Sequence, residues 1–184
     1  NELSAVMIQS EGDNWRSIRN GPLSRYGAYG IIGILILLAW YYSYKGRIKV
    51  SKGFSGKTIT RFRAIERFSH WLMAGSFIVL AITGLNLLYG KYILLPILGP
   101  ETFSIITTSG KYAHNFLSFA FMLGLGMSFV CWVSHNIPSK LDVEWLRQGG
   151  GLFDDSHPPA RKFNAGQKII FWAVMLGGLS ISLS

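Results

Sequence analysis

The 184-residue chain carries one cysteine, nine acidic residues and only 15% charged residues in all. Each scarcity excludes something. The lone Cys131 forms no disulfide within the chain, and an iron–sulfur cluster usually takes four thiolates, so any such cluster belongs to a partner and the thiol is expected to be a buried structural one. With few charges beside 49% hydrophobic and 14% aromatic residues, the chain lacks the surface of an ordinary soluble domain. The bilayer is its expected solvent. The few acids are outnumbered by 18 Lys and Arg, for a formal charge of +9. These basic residues flank the apolar runs instead of forming a patch interleaved with exposed aromatics, which speaks against a nucleic-acid partner.

What fills the chain instead is a series of uncharged runs, each near the roughly 20 residues needed to span about 30 Å of hydrocarbon. They predict an all-α transmembrane helical bundle with four visible spans, the last one truncated. Residues 1–25 are read as a polar external arm with a turn at Asn20-Gly21-Pro22, and residues 26–44 as an extra N-terminal transmembrane helix with aromatic residues at both ends. Residues 45–67 hold Lys45, Arg47, Lys49, Lys52, Lys57, Arg61, Arg63 and Arg67 against Glu66 alone. Such a short basic loop belongs in the cytoplasm, which places the N-terminal arm outside.

Residues 68–184 form the expected core. A second span runs from about Phe68 to Gly90, and residues 91–112, broken by Pro96 and Gly99-Pro100, are expected as an external loop. A third span covers 113–135. Residues 136–167 are a cytoplasmic loop with Gly149-Gly150-Gly151 and a solvated His157, and a fourth span begins near Lys168. Asn1 in place of Met, and Ser184 inside an apolar run, predict a processed N-terminus and further helices after Ser184.

Two histidines stand at the mouths of these spans, His70 in the second and His114 in the third. A metal-binding side chain in a membrane span is costly and is a functional candidate by default. Imidazole is a common axial ligand of haem iron. Consecutive spans run in opposite directions, so the two rings are expected near opposite faces, roughly 30 Å apart, and one iron cannot take both. The economical reading is two haem groups, one near each face, with His70 and His114 as metal ligands and the second ligands beyond Ser184. Gly75, Gly84, Gly124 and Gly126 offer small-residue surfaces for a flat macrocycle or for ordinary helix packing. Arg67, one turn from His70, suits a haem propionate or an interfacial anchor. His135 is a weaker candidate to pair with His70, because His135-Asn136-Ile137-Pro138 reads as a water-exposed helix stop.

The segment Lys162 to Trp172, KFNAGQKIIFW, places Asn164, Gly166 and Gln167 at the mouth of the fourth span. Their amides could hold a quinone carbonyl, or form the first turn of the helix.

Taken together, RFRAIERFSHW, GKYAHNF, HNIPSKLDVEWL and RKFNAGQKIIFW resemble the gamma subunit of membrane-bound respiratory formate dehydrogenase, a di-haem cytochrome b, over residues 58–184. The resemblance implies a bacterial inner-membrane subunit that accepts electrons from an iron–sulfur beta subunit, itself served by a catalytic alpha subunit. The electrons pass through two haem b groups to a membrane quinone. It implies His70 and His114 as haem ligands and Asn164, Gly166 and Gln167 as neighbours of the quinone. No formate-oxidising site is expected here. A cytochrome b serving a hydrogenase or another oxidoreductase, or an anchor without cofactor, would share much of this pattern.

Overall fold

The computed structural model describes residues 10–47, 56–152 and 158–183, and every regular element among them is helical. His157, Lys49 and Lys52 lie outside the described residues, as does the start of the N-terminal arm. Four helical stretches are long and apolar enough to cross a membrane: Gly12–Lys45, Ala64–Ile93, Leu95–His135 and Ala165–Leu183. The chain is thus an all-α, multi-pass membrane protein. It divides into two units, Asn1–Ile59 and Thr60–Ser184.

In the first unit α1 (Ser10–Ile18) runs through a five-residue π-helical turn, Arg19–Leu23, into α2 (Ser24–Lys45). The turn expected at Asn20-Gly21-Pro22 is therefore helical. Proline lacks the N–H that an α-helix needs, and the wider π turn takes Pro22 into the helix without ending it. Gly46, at φ 66°, ends α2.

The second unit is built from α3 (Ala64–Ile93), α4 (Leu95–Trp132), α5 (Lys140–Arg147) and α6 (Ala165–Leu183). Glu66 starts α3 by accepting the Arg63 backbone N–H on Oε2 at 2.7 Å. The external loop expected at 91–112 is nearly all helix. Leu94 alone separates α3 from α4, and α4 bends at Gly99, where φ is 75° and ψ 168°. Pro96 and Pro100 each open a helical segment, a position where the missing N–H would be unpaired anyway. The two prolines mark helix starts.

A stripe of small residues recurring every seven positions on α3, Ser69, Ser76, Thr83 and Gly90, is buried in the fold. Each hydroxyl bonds a carbonyl of its own helix, so no polar group is stranded. The matching stripe on α4 is Phe121, Gly124, Leu125, Ser128 and Trp132. Small residues let backbones approach where the surrounding lipid gives apolar side chains little reason to associate. The backbones approach closely at Gly124, where an added Cβ would lie 2.7 Å from the Met73 nitrogen and 2.8 Å from its Cα. Phe171, Met175 and Gly178 on α6 are buried, and Phe171 and Met175 pack with Phe121, Leu125 and Trp132 in one apolar core.

The segment expected as a plain loop at 136–167 contains α5, capped by Ser139 and Asp142. Lys168 is buried, and its ammonium donates to Asp142 Oδ2 at 2.7 Å and to the Ile137 carbonyl at 3.0 Å. Burial alone would raise the Asp142 pKa. The bonds from Lys168 and from the Ser139 hydroxyl and N–H outweigh it and hold the carboxyl below the ordinary aspartate range. A depressed value stabilises the fold above the unfolded pKa, and that contribution disappears as pH falls through the folded value. Lys168→Met is accordingly expected to loosen α5 at neutral pH, by about 2 kcal/mol, while α6 stays helical. Faster amide hydrogen exchange confined to residues 139–147 would verify it, and unchanged exchange there would refute it.

Candidate functional site

At the Arg63 end of the core, α3, α4 and α6 surround a cleft of about 560 Å³. Its walls are aromatic. Trp132 lies 6.1 Å from Phe62, 6.2 Å from Phe163 and 6.3 Å from His70 between ring centroids. Glu66 ties these walls together: its carboxylate accepts the Trp132 indole N–H at 2.8 Å and the Lys162 ammonium, although the residue is only 7% exposed. Glu66 joins the start of α3 to the end of α4 and to the segment leading into α6. A buried carboxylate in an apolar setting persists because each charge is met.

His70 is exposed and lines this cleft, as do Arg67 and Gln167. The Arg67 guanidinium makes a loose bond to the Phe62 carbonyl, at 3.5 Å. Asn164 and Gln167 form a reciprocal helix start. Asn164 Oδ1 accepts the Gln167 N–H at 2.8 Å, and Gln167 Oε1 accepts the Asn164 N–H at 3.1 Å. Both side-chain oxygens are thereby committed, and each amide retains an NH₂ group, a donor suited to a ligand carbonyl. Gly166 packs against an aromatic side chain: a Cβ there would meet the Trp145 ring at 3.2 Å. Of the three residues, Gln167 lines the cleft, and the other two lie behind it on the α6 start.

His135 lines a separate, smaller cleft with Arg63, Glu66, Cys131 and Lys162. The structure does not bring it to the His70 cleft. Cys131 is half-buried against the core. Asn136, expected in water, is 1% exposed; its side-chain NH₂ donates to the Trp132 carbonyl and its backbone carbonyl accepts the Trp172 indole N–H.

His114 stands between α3 and α4. Its Nδ1 is 2.8 Å from Thr83 Oγ1, and its Cε1 would lie 3.5 Å from a Cβ added to Gly84. This fixes the spacing of the two imidazoles. From His70 to Thr83 is about 20 Å along α3 at 1.5 Å per residue, less than the roughly 30 Å read from the sequence. His114 is thus sunk some way below the Gly90 end of the core.

The donors present suit haem iron at both levels. At His70 a large aromatic cleft adjoins an imidazole with no hydrogen-bond partner among the described residues, and at His114 the bond through Nδ1 leaves Nε2 for a metal. Gly75 and Gly126 face open space, whereas Gly124 is spent on helix packing against Met73. Sequence reasoning passed over Glu66, Trp132, Asn136 and Thr83. The signals for two of them were present: Glu66 is the single acid in a basic stretch, and Thr83 belongs to a seven-residue recurrence of small residues.

The chain has recognisable relatives among known proteins. The chain is similar to the cytochrome b556(Fdn) subunit of the nitrate-inducible formate dehydrogenase of Escherichia coli (strain K12), 34% identical over 122 residues, covering 65% of this chain and 54% of that one. The cytochrome b556(fdo) subunit of formate dehydrogenase from the same organism is 27% identical over 121 residues, with the same coverage. The formate dehydrogenase cytochrome b556 subunit of Haemophilus influenzae is 29% identical over 130 residues, covering 67% of this chain and 51% of that one. The chain spans about half the length of these curated relatives. The sequence profile of prokaryotic cytochrome b561 matches residues 61–184, the whole stretch that carries both histidines and the cleft, and the chain belongs to that family.

Proposed function

We propose that the chain is the membrane cytochrome b subunit of a formate dehydrogenase complex, in which His70 and His114 would each hold the iron of a separate haem b. One observation carries the proposal: two imidazoles stand on a single helix pair at levels about 20 Å apart, one on an aromatic cleft and one latched to Thr83. Haem b, when bound, supplies a one-electron carrier at each level. The names of the relatives favour formate dehydrogenase over other respiratory oxidoreductases.

The chain's own residues divide the remaining work. Phe62, Trp132 and Phe163 give the His70 cleft an aromatic wall, and Arg67 would meet a propionate. A membrane quinone is the electron acceptor, met at the same cleft by the Gln167 NH₂, with Asn164 and Gly166 shaping the helix start beneath it. Electrons arrive at the His114 level from an iron–sulfur beta subunit fed by a catalytic alpha subunit. No formate chemistry takes place on this chain. The basic stretch at 45–67 favours a cytoplasmic side for the His70 cleft, in a bacterial inner membrane with the N-terminal arm external. Residues 68–184 then form the cytochrome core, and 26–44 an added helix.

Gln167→Glu isolates the quinone contact. The carboxylate can still accept the Asn164 N–H, so the helix start survives, while the NH₂ donor is lost. About a tenfold rise in the KM for quinone is expected, with haem content and formate reduction of the haems unchanged. Unaltered quinone kinetics would remove Gln167 from the site.

A further inference from the structure

Thr83 does more than fill a small position in the stripe on α3. Its hydroxyl lies 2.7 Å from the Val79 carbonyl, 3.2 Å from the Leu80 carbonyl and 2.8 Å from His114 Nδ1. A hydroxyl has one proton and two lone pairs. With two carbonyls of its own helix to receive that proton, the oxygen faces the imidazole with a lone pair. His114 must then carry its proton on Nδ1 and leave Nε2 bare. The opposite tautomer would put an N–H on Nε2 and abolish its capacity to bind a metal.

We infer that Thr83 is the positioning residue of His114, accepting a hydrogen bond from Nδ1–H and so setting both the tautomer and the donor strength of the ring. This rests on His114 being an axial ligand. An acceptor on Nδ1–H gives the imidazole partial imidazolate character, which makes Nε2 a stronger donor and favours the oxidised metal. Gly84 leaves room for the same geometry, since a Cβ added there would come to 3.5 Å from the ring edge at Cε1. The latch also keeps the ring from rotating about its side-chain bonds, because Thr83 is 9% exposed and β-branched, with few rotamers open to it in a helix.

The experiment is redox potentiometry of the haem α bands in membranes containing the assembled complex, for wild type, Thr83→Val, Thr83→Ser and His114→Ala. Valine keeps the shape of threonine and removes the acceptor. The haem at the His114 level should shift about tenfold toward the reduced form, a rise of about 59 mV for one electron, while the other haem keeps its potential. Serine should restore the wild-type value. Loss of that one haem in Thr83→Val with retention in Thr83→Ser would also support the latch, because serine keeps the hydroxyl while losing the methyl group, and valine keeps the shape while losing the hydroxyl. Both haems present at unchanged potentials in Thr83→Val would overturn it, as would equal loss in both variants. His114→Ala tests the ligand reading separately: retention of both haems there would overturn that reading and this inference with it.

Discussion

His114→Ala, expressed in the assembled complex, is expected to contain one haem b in place of two, and formate is expected to reduce that remaining haem no longer. Alanine offers the iron no lone pair. Thr83 keeps its bonds to Val79 and Leu80, so α3 loses no internal partner and the helix pair should survive the change. The vacated space adjoins Gly84, which has no side chain with which to fill it. The effect on stability is therefore expected to be modest and the effect on conduction nearly complete, because in the proposed order the lost carrier is the one nearest the electron source. Dithionite, which needs no particular order of carriers, should still reduce the haem at His70. If formate reduces the surviving haem at the normal rate, the order assigned to the two levels is wrong. The reciprocal variant, His70→Ala, should leave formate reduction of the outer haem intact and abolish quinone reduction.

The second large effect is expected far from either imidazole. Gly124→Ala adds one methyl group where α3 and α4 approach closely, 2.7 Å from Met73 N and 2.8 Å from Met73 Cα. Those are backbone atoms, so no side-chain rotation relieves the clash and the helices must part. Overpacking of this kind costs about 1–3 kcal/mol, with the upper end expected when a backbone has to move. Because one histidine stands on each helix, both haems should be depleted together and thermal unfolding in detergent should begin at lower temperature. Gly126→Ala is the internal control. Nothing lies within 4 Å of a Cβ at Gly126, and alanine favours a helix over glycine by about 1 kcal/mol in propensity. Normal haem content in Gly124→Ala would show that the helix contact is softer than its geometry implies.

These two sites differ in how far the sequence announces them. The spans, their order and the histidines were legible because charge is so sparse: no Lys, Arg, Asp or Glu lies between Arg67 and Lys91, and a gap that long has few interpretations in a helical protein. Gly124 was visible as a small residue, but its partner was not. Only the crossing of two helices turns a glycine into a contact with Met73, and that distance depends on side chains far apart in the chain. Pro22, Pro96 and Pro100 misled for a related reason. Proline signals a break in the N–H ladder, yet a π turn or a helix start removes the need for that N–H, and here all three lie within helix.

The cleft was less legible than the fold. Asn164 and Gln167 suggested a ligand or a helix start, and the reciprocal bonds between them show that the turn takes both oxygens and leaves the NH₂ groups. Glu66 was counted in the topology and not in the site, since nothing in its local sequence indicates that Trp132 and Lys162 converge on it. Such convergence joins residues separated by 66 and 96 positions, a range over which no periodicity carries information. The Thr83 latch lay in between. Its seven-residue register was readable, but its contact with His114 required the pairing of α3 with α4.

The most direct test is a potentiometric titration of the b-type α band in the intact membrane complex, with haem quantified per chain. Imidazoles about 20 Å apart along one helix pair predict two haems per chain and two one-electron waves of similar amplitude. A single wave with one haem per chain, or no b-type band at all, would contradict the assignment of His70 and His114 to separate irons.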